Sequence, residues 1–293
     1  MALSIIVSSA AEAPAIIIRD IERVSEMREV ETLQKNVWRS NDLDVVPLTM
    51  LLASREVGAV LVGAYDESEL VGFVYGFPAY ENGQVAHHSH MLAVRPSYRN
   101  HNLAYKLKLA QRERVLAQGI KRISWTFDPL QSLNAYFNFG KLGVLADTYK
   151  INFYGEATSS FLHQIGTDRL WVTWLLDGQR VRKRLQNEKK ESIPVTERVP
   201  SLVQVALDGA PRRNEPSRVL GQEHLSIEIP SEINALQNEK PKLAVEWREA
   251  TRWAFTEAMV SGYLVEEFRR STRKGQSIGI YLLDHRKEFE DVA

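Results

Sequence analysis

Between residues 16 and 176 the apolar side chains recur every second position, then every three or four, then every second again. This switching rhythm confines the chain to a mixed α/β fold. A short strand at 15–19 leads. Val24, Met27, Val30, Leu33 and Val37 then form one stripe of a helix ending near Trp38, and Pro47 suits the first turn of a second helix. Residues 59–65 and 70–77 are β-rich and joined by Asp66, Glu67, Ser68 and Glu69, a polar connection that predicts a hairpin. A third strand at 86–94 follows the Glu81-Asn82-Gly83 turn. After Pro96 the spacing turns helical over 102–118, with Leu103, Leu107, Ala110 and Val115 on one side and Gly119 as the stop. Residues 121–127 return to strand, Pro129 opens a helix to about Leu142, and strands at 144–149 and 169–176 close the unit.

The rhythm divides the chain into a first domain at 16–177, a charged linker at 178–224 and a small αβ unit at 225–284. Residues 179–198 are dense in Arg, Lys, Glu and Gln, and the basic run from Arg180 to Arg184 reads as a solvated face. The tail predicts a strand at 225–229, an amphipathic helix at 242–260 carrying Leu243, Trp247, Trp253 and Phe255, and a hairpin from 263–268 and 277–283. About sixty residues are few for an independent core, so this unit is expected to pack on the first domain or on a second subunit, which leaves a homodimer open.

Lys plus Arg and Asp plus Glu balance at 37 each, so no global field gathers nucleic acid or an anionic membrane. There is no cysteine, which removes disulfides, thiolate nucleophiles and Cys-based zinc sites, and a cytoplasmic location is expected. Residues 2–15 lack a basic leading segment and are broken by Ser8, Ser9 and Glu12, so they read as a disordered lead-in. No run of about eighteen apolar residues occurs, and no membrane span is expected.

The most telling segment is His90, Met91, Leu92, Ala93, Val94, Arg95, Pro96, Ser97, Tyr98, Arg99, Asn100, His101, Asn102, Leu103 and Ala104. It resembles motif A of the GNAT superfamily of acyl-CoA N-acyltransferases, in which a strand ends in a Val-x-Pro step and a glycine-patterned loop opens a helix. The physics suits a diphosphate, because successive N–H groups at a helix start offer donors at the positive end of the helix dipole. Asn102 and Ala104 stand where the family usually has small glycine-type residues, and Asn is the non-glycine residue best suited to a left-handed conformation. The chain is similar in finer detail to a two-part GNAT subfamily described only as predicted acetyltransferases. The shared segments are Ser89 with His90, Met91, Leu92, Ala93 and Val94; Trp125-Thr126-Phe127-Asp128-Pro129-Leu130; Asn134-Ala135-Tyr136-Phe137-Asn138; and Thr167-Asp168-Arg169-Leu170.

The resemblance implies a mixed, mostly antiparallel sheet flanked by helices, with acetyl-CoA or another acyl-CoA as co-substrate and no metal. It implies that Arg99, Asn100, His101, Asn102, Leu103 and Ala104 hold the diphosphate. Backbone at Leu92, Ala93 and Val94 would hold the pantetheine arm and the acyl oxygen if the neighbouring strand splays away, and Asn134 would bond pantetheine. Some relatives place succinyl or other acyl groups on amino-acid nitrogens, which implies a small-molecule amine as acceptor.

Proton transfer falls to several candidates. His88 and His90 share one strand face and have ordinary pKa values suited to neutral pH. Asp128 ends a central strand but is equally suited to cap a helix start. The tyrosine that often protonates the thiolate in this superfamily maps onto Phe139, with Tyr136 three residues away on the same helix. A noncatalytic CoA-binding sensor is therefore the alternative. Residues 247–283 repeat the helix, Gly-aromatic strand and second strand seen at 134–176, an arrangement that echoes the end of the first domain.

Overall fold

The computed structural model describes residues 16–39, 41–155, 164–186 and 199–285; the lead-in at 2–15 and the polar residues 187–198 lie outside them, and the side chain of Asn100 is not described. The first strands are β1 (Ile17–Asp20), β2 (Val60–Asp66), β3 (Glu69–Glu81), β4 (Gln84–Val94), β5 (Arg122–Phe127), β6 (Leu145–Lys150) and β7 (Arg169–Leu175). They are joined by α1 (Val24–Trp38), α2 (Leu48–Glu56), α3 (Leu103–Ala117) and α4 (Ser132–Ala135), the last widening into a π-turn at Tyr136–Leu142. The remainder comprises α5 (Gln179–Leu185), β8 (Ser201–Val205), β9 (Pro211–Arg213), α6 (Pro216–Val219), β10 (His224–Pro230), α7 (Ile233–Glu239), α8 (Pro241–Val260), β11 (Leu264–Arg273) and β12 (Gln276–Asp284).

Local chemistry explains the boundaries. The Glu26 carboxylate accepts the backbone N–H groups of Glu22 and of the N-cap Arg23, half of a capping box that fixes how the chain enters α1. The helix expected from Pro129 begins at Ser132, because Asp128 Oδ1 accepts the N–H of Leu130 at 3.0 Å and holds residues 128–131 in a turn.

The twelve strands of the described residues form one sheet in the order β1-β2-β3-β4-β5-β7-β6-β11-β12-β10-β8-β9. Most neighbours are antiparallel; β4 with β5 and β8 with β10 are parallel. Helices α1 and α2 cover one face of β2 to β4, packing Met27, Val30, Leu33 and Leu51 on Phe73 and Tyr75. Helix α3 covers the other face, and there the core continues without a break into the tail, from Leu107 and Val172 to Ile227, Trp247 and Phe255.

The tail therefore packs on the first domain within the chain, and β11 meets β6 at Val265↔Ala146. Residues 178–224, expected as a charged linker, contain α5, β8, β9 and α6. Their few apolar residues suffice because Leu202 and Val203 are fully buried in the shared core.

Candidate active site

Strand β4 pairs with β3 from Gln84 to Val94, but with β5 it shares only His87↔Ile123 and His88↔Ser124. Beyond that junction the two strands part. On the β3 side, Tyr75 faces Met91 while Gly76 faces Ser89, so His90 is the extra residue of a β-bulge. A bulge turns a strand and re-aims its side chains. Gly76 is obligatory there: a Cβ would meet the His88 carbonyl oxygen at 2.6 Å and His87 Nε2 at 2.5 Å.

The gap is a crevice of about 350 Å³ walled by Ser89, His90 and Leu92 on β4, Trp125 to Phe127 on β5 with Asp128 just after it, and Asn134, Phe137 and Asn138 at α4. Trp38, Tyr154 and Arg169 rim it. The splay leaves one edge of β4 unladdered, so its backbone groups are open to an amide-bearing ligand, as a peptide adds to a sheet edge.

Beyond β4 the chain makes a turn at Pro96–His101, and Asn102 takes the left-handed conformation at φ 56°. The Asn102 side chain makes no cap bond; the first N–H of α3 to bond back is that of Lys106, to the Asn102 carbonyl at 3.2 Å. The N–H groups of Leu103, Ala104 and Tyr105 are thus left for an outside acceptor. Arg99 is exposed on the preceding turn, and Lys141 reaches Asn102 Oδ1 at 3.3 Å, so two cationic side chains flank the helix start. The arrangement fits a diphosphate group. His101 and Asn102 are exposed, whereas the Leu103, Ala93 and Val94 side chains are buried and could offer only backbone.

His90, Leu92, Asp128 and Asn134 come together around the crevice; Tyr136 does not. Tyr136 is 42% exposed and lies across Gly140 on the π-turn. Phe139 is fully buried, edge-on to Phe127 and Tyr281. Asp128, expected as a helix-start cap, instead closes the turn ahead of α4 through the Leu130 N–H, and its Oδ2 accepts from Arg248 at 2.7 Å. Burial works against the Arg248 charge, but the Asp128 carboxylate outweighs it and raises the pKa.

The histidines differ from the ordinary imidazole expected of them. Burial, then the nearby His90 and Lys108, lower His88 to about 4, and burial lowers His90 as well. Both are neutral at pH 7, with rings 6.2 Å apart, and His88 lies beside Trp171.

Three residues to which the sequence reading assigns no role at the site shape it. Lys108 lies in the wall, in the helical row Ala104, Lys108, Gln111, Val115 beside the apolar stripe; a charge inside that row was the available signal. Arg169 rims the crevice with its guanidinium 5.0 Å from the Tyr154 ring. Arg248 comes from α8 in the tail, and Arg252 one turn later binds Asp168 at 2.8 Å. Burial opposes charge on Asp168, but Arg252, the Asn152 N–H and the Tyr149 hydroxyl together hold its pKa below the usual range. The Thr167-Asp168-Arg169-Leu170 segment is thus where the tail is fastened to the site. Among the described residues no group of three or more His, Cys, Asp or Glu could hold a metal, and no helix is long and apolar enough to cross a membrane.

Residues 23–141 match the family described as Acetyltransferase (GNAT) family. No curated protein sequence matches the chain. Among solved structures, an aminoglycoside 6'-acetyltransferase type Ii is similar at 21% identity over 56% of this chain and 99% of that one, TM-score 0.45. The ribosomal-protein-S18-alanine N-acetyltransferase from Escherichia coli is similar at 10% identity over 55% and 94%, TM-score 0.44. An aminoglycoside 6'-N-acetyltransferase complexed with coenzyme A is similar at 18% identity over 56% and 98%, TM-score 0.41.

Proposed function

We infer that this chain, whose residues 23–141 form a GNAT acetyltransferase domain, moves an acetyl or larger acyl group such as succinyl from CoA directly to the amine of a small molecule, an amino acid or a derivative of one. The observation that carries the reading is the parting of β4 and β5 after His88/Ser124, with the His90 bulge on one lip and an uncapped α3 start at its outer end.

Acyl transfer from a thioester needs an aligned neutral amine, a polarised carbonyl and a protonated leaving thiolate. The N–H groups at the α3 start, with Arg99 and Lys141 beside them, anchor the diphosphate of the acyl-CoA. The open edge of β4 from His90 to Val94 aligns the pantetheine amides and donates to the acyl oxygen, and Asn134 adds a side-chain contact. Neutral His90 faces the crevice as an acceptor for the proton of the incoming ammonium. Asp128, held by Arg248 and the Leu130 N–H, fixes the far end of the β5 wall.

The test is release of free CoA thiol from acetyl-CoA and succinyl-CoA with a panel of amino acids and simple amines, beside calorimetric binding of CoA. Thiol release that depends on one class of amine is expected. CoA binding with no turnover of any amine would favour a noncatalytic sensor, the reading to which the buried Phe139 lends weight.

A further inference from the structure

At the inner end of the crevice, where β4 and β5 separate, a lysine is buried with no acid beside it. Lys108 extends from α3 until its Nζ lies 3.0 Å from Ser89 Oγ on the β4 wall and 3.7 Å from the ring centroid of Trp125 on the β5 wall. It donates to Gln111 Oε1 at 2.9 Å, and its side chain lines the crevice while the residue is 2% exposed. Ser89 and Trp125 are the first residues past the last shared pair, so Nζ bridges the two walls where the ladder stops.

Burial favours the free amine, and it outweighs the Trp125 ring face, which favours the ammonium. Burial pushes the Lys108 pKa well below the usual lysine value, and no carboxylate lies within ion-pair distance of it among the described residues. Its titratable neighbours are His87 and His88 on β4. Burial above all holds them at about 3 and about 4, so both are neutral. Strands β5 and β7 present Trp125 and Trp174, and α3 itself presents Gln111, none of which titrates. Asp128, at the far end of β5, is taken by Arg248.

We propose that Lys108 carries the proton from the attacking amine to the departing sulfur, a role that rests on the acyl-transfer reading above. The amine nitrogen bonds to the thioester carbon, and the carbonyl pair moves onto oxygen. The Lys108 amine takes the extra proton from that nitrogen and becomes an ammonium. The carbonyl then re-forms, the C–S bond breaks with its electron pair left on sulfur, and the ammonium gives the proton to the thiolate. Amide and free CoA thiol result, and Lys108 returns to its starting state. The assignment fills the position left by Phe139, since Tyr136 lies outside the crevice and Lys108 lies within it.

The test uses the full chain with lysine labelled with carbon-13 at Cε, together with Lys108→Met. The Lys108 resonance is expected to titrate well below the ordinary lysine range, because burial penalises the ammonium, and to shift when CoA is added. In Lys108→Met, kcat should fall on the order of 10² to 10⁴-fold with CoA affinity kept, and the loss of rate seen in the wild type as pH drops through the lysine pKa should vanish. A resonance that stays an ammonium beyond about pH 9 overturns the role whatever the variant does. So does a Lys108→Met protein with wild-type kcat, one that loses rate with an unchanged pH profile, or one that loses only its discrimination between acetyl-CoA and succinyl-CoA. No turnover by the wild type with any amine sinks the acyl-transfer reading and this role together, whereas an active wild type with an unaffected variant sinks the role alone.

Discussion

The two halves of the molecule close in the same way. In the first, β5 leads through α4 to β6 and β7, with β7 inserted between the other two strands; in the second, β10 leads through α7 and α8 to β11 and β12, with β12 inserted likewise. Each half also carries a parallel neighbour, β4 beside β5 and β8 beside β10. Gly143 and Gly262, at φ 76° and 82°, each end the closing helix, and the residues three positions later, Ala146 and Val265, pair across the junction. The halves meet like two subunits about a local twofold, which explains how an internal echo completes a single sheet.

The halves differ just past the parallel pair. In the first half the strands part after His88/Ser124, and Lys108 stands in the gap. In the second, past Ile227/Val203, the buried Glu228 carboxylate accepts the Val205 N–H at 2.7 Å and binds Arg273 at 2.7 Å. The first half has α3 and its uncapped start, where the second has the β9 excursion and the short α6. One topology thus gives a binding crevice where a ladder is left open and a supporting wall where a side chain closes it.

The largest test of this contrast is at the seam. Arg248→Met should leave Asp128 buried and uncompensated, costing about 3–5 kcal/mol in a denaturant melt and disturbing the crevice although the residue belongs to the other half. A loss below about 1 kcal/mol would show that the halves are joined by apolar packing alone.

Acid should act next, and on the first half. His87 is fully buried with its pKa lowered to about 3, mainly by burial, while the unfolded chain titrates near pH 6.5. The unfolded state binds the proton more tightly, so this stability is complete above about pH 6.5 and falls as pH drops, by about 3 kcal/mol at pH 4. Urea melts across that range, compared with His87→Gln, should show a flatter dependence in the variant. Hydrogen exchange should report β4 opening before β10.

A smaller effect is expected in the second half. Glu228→Ala leaves the Val205 N–H and Arg273 without their partner and should cost about 1–3 kcal/mol while CoA affinity is unchanged. A weakening of CoA binding would mean that the closed gap communicates with the open one. The smallest effect is Arg99→Glu, which places negative charge at the exposed start of α3 and should weaken CoA binding by about 1 kcal/mol, less at high salt. Equal binding of both forms by calorimetry would put the diphosphate elsewhere.

Much of this is legible in the residues. The helix at Val24–Trp38 and the hairpin at Val60–Asp66 and Glu69–Glu81 arise from spacing and turn chemistry. His90, Leu92, Asp128 and Asn134, all expected at the site, share one crevice. Strand β8 escapes the pattern because Leu202, Val203 and Val205 form a run of only five residues with Ser201 and Gln204 beside the long charged stretch 179–198, and only the neighbouring β10 marks it as part of the sheet. Tyr136 misleads because the π-turn alters the helical count on which its placement depends.

Within residues 16–177 the order of elements was determined by the sequence alone, because hydrophobic period and turn residues act within a few positions of the chain. The left-handed Asn102 and the helix start it precedes belong to the same local grammar. Only the tertiary structure decided that β4 and β5 part after two pairs, that Lys108 is buried at that point without an acid, and that Arg248 reaches Asp128 across 120 residues. Those features depend on distant segments meeting in a medium of low polarity. There a single charge or missing ladder bond sets the energy, and no local period records it.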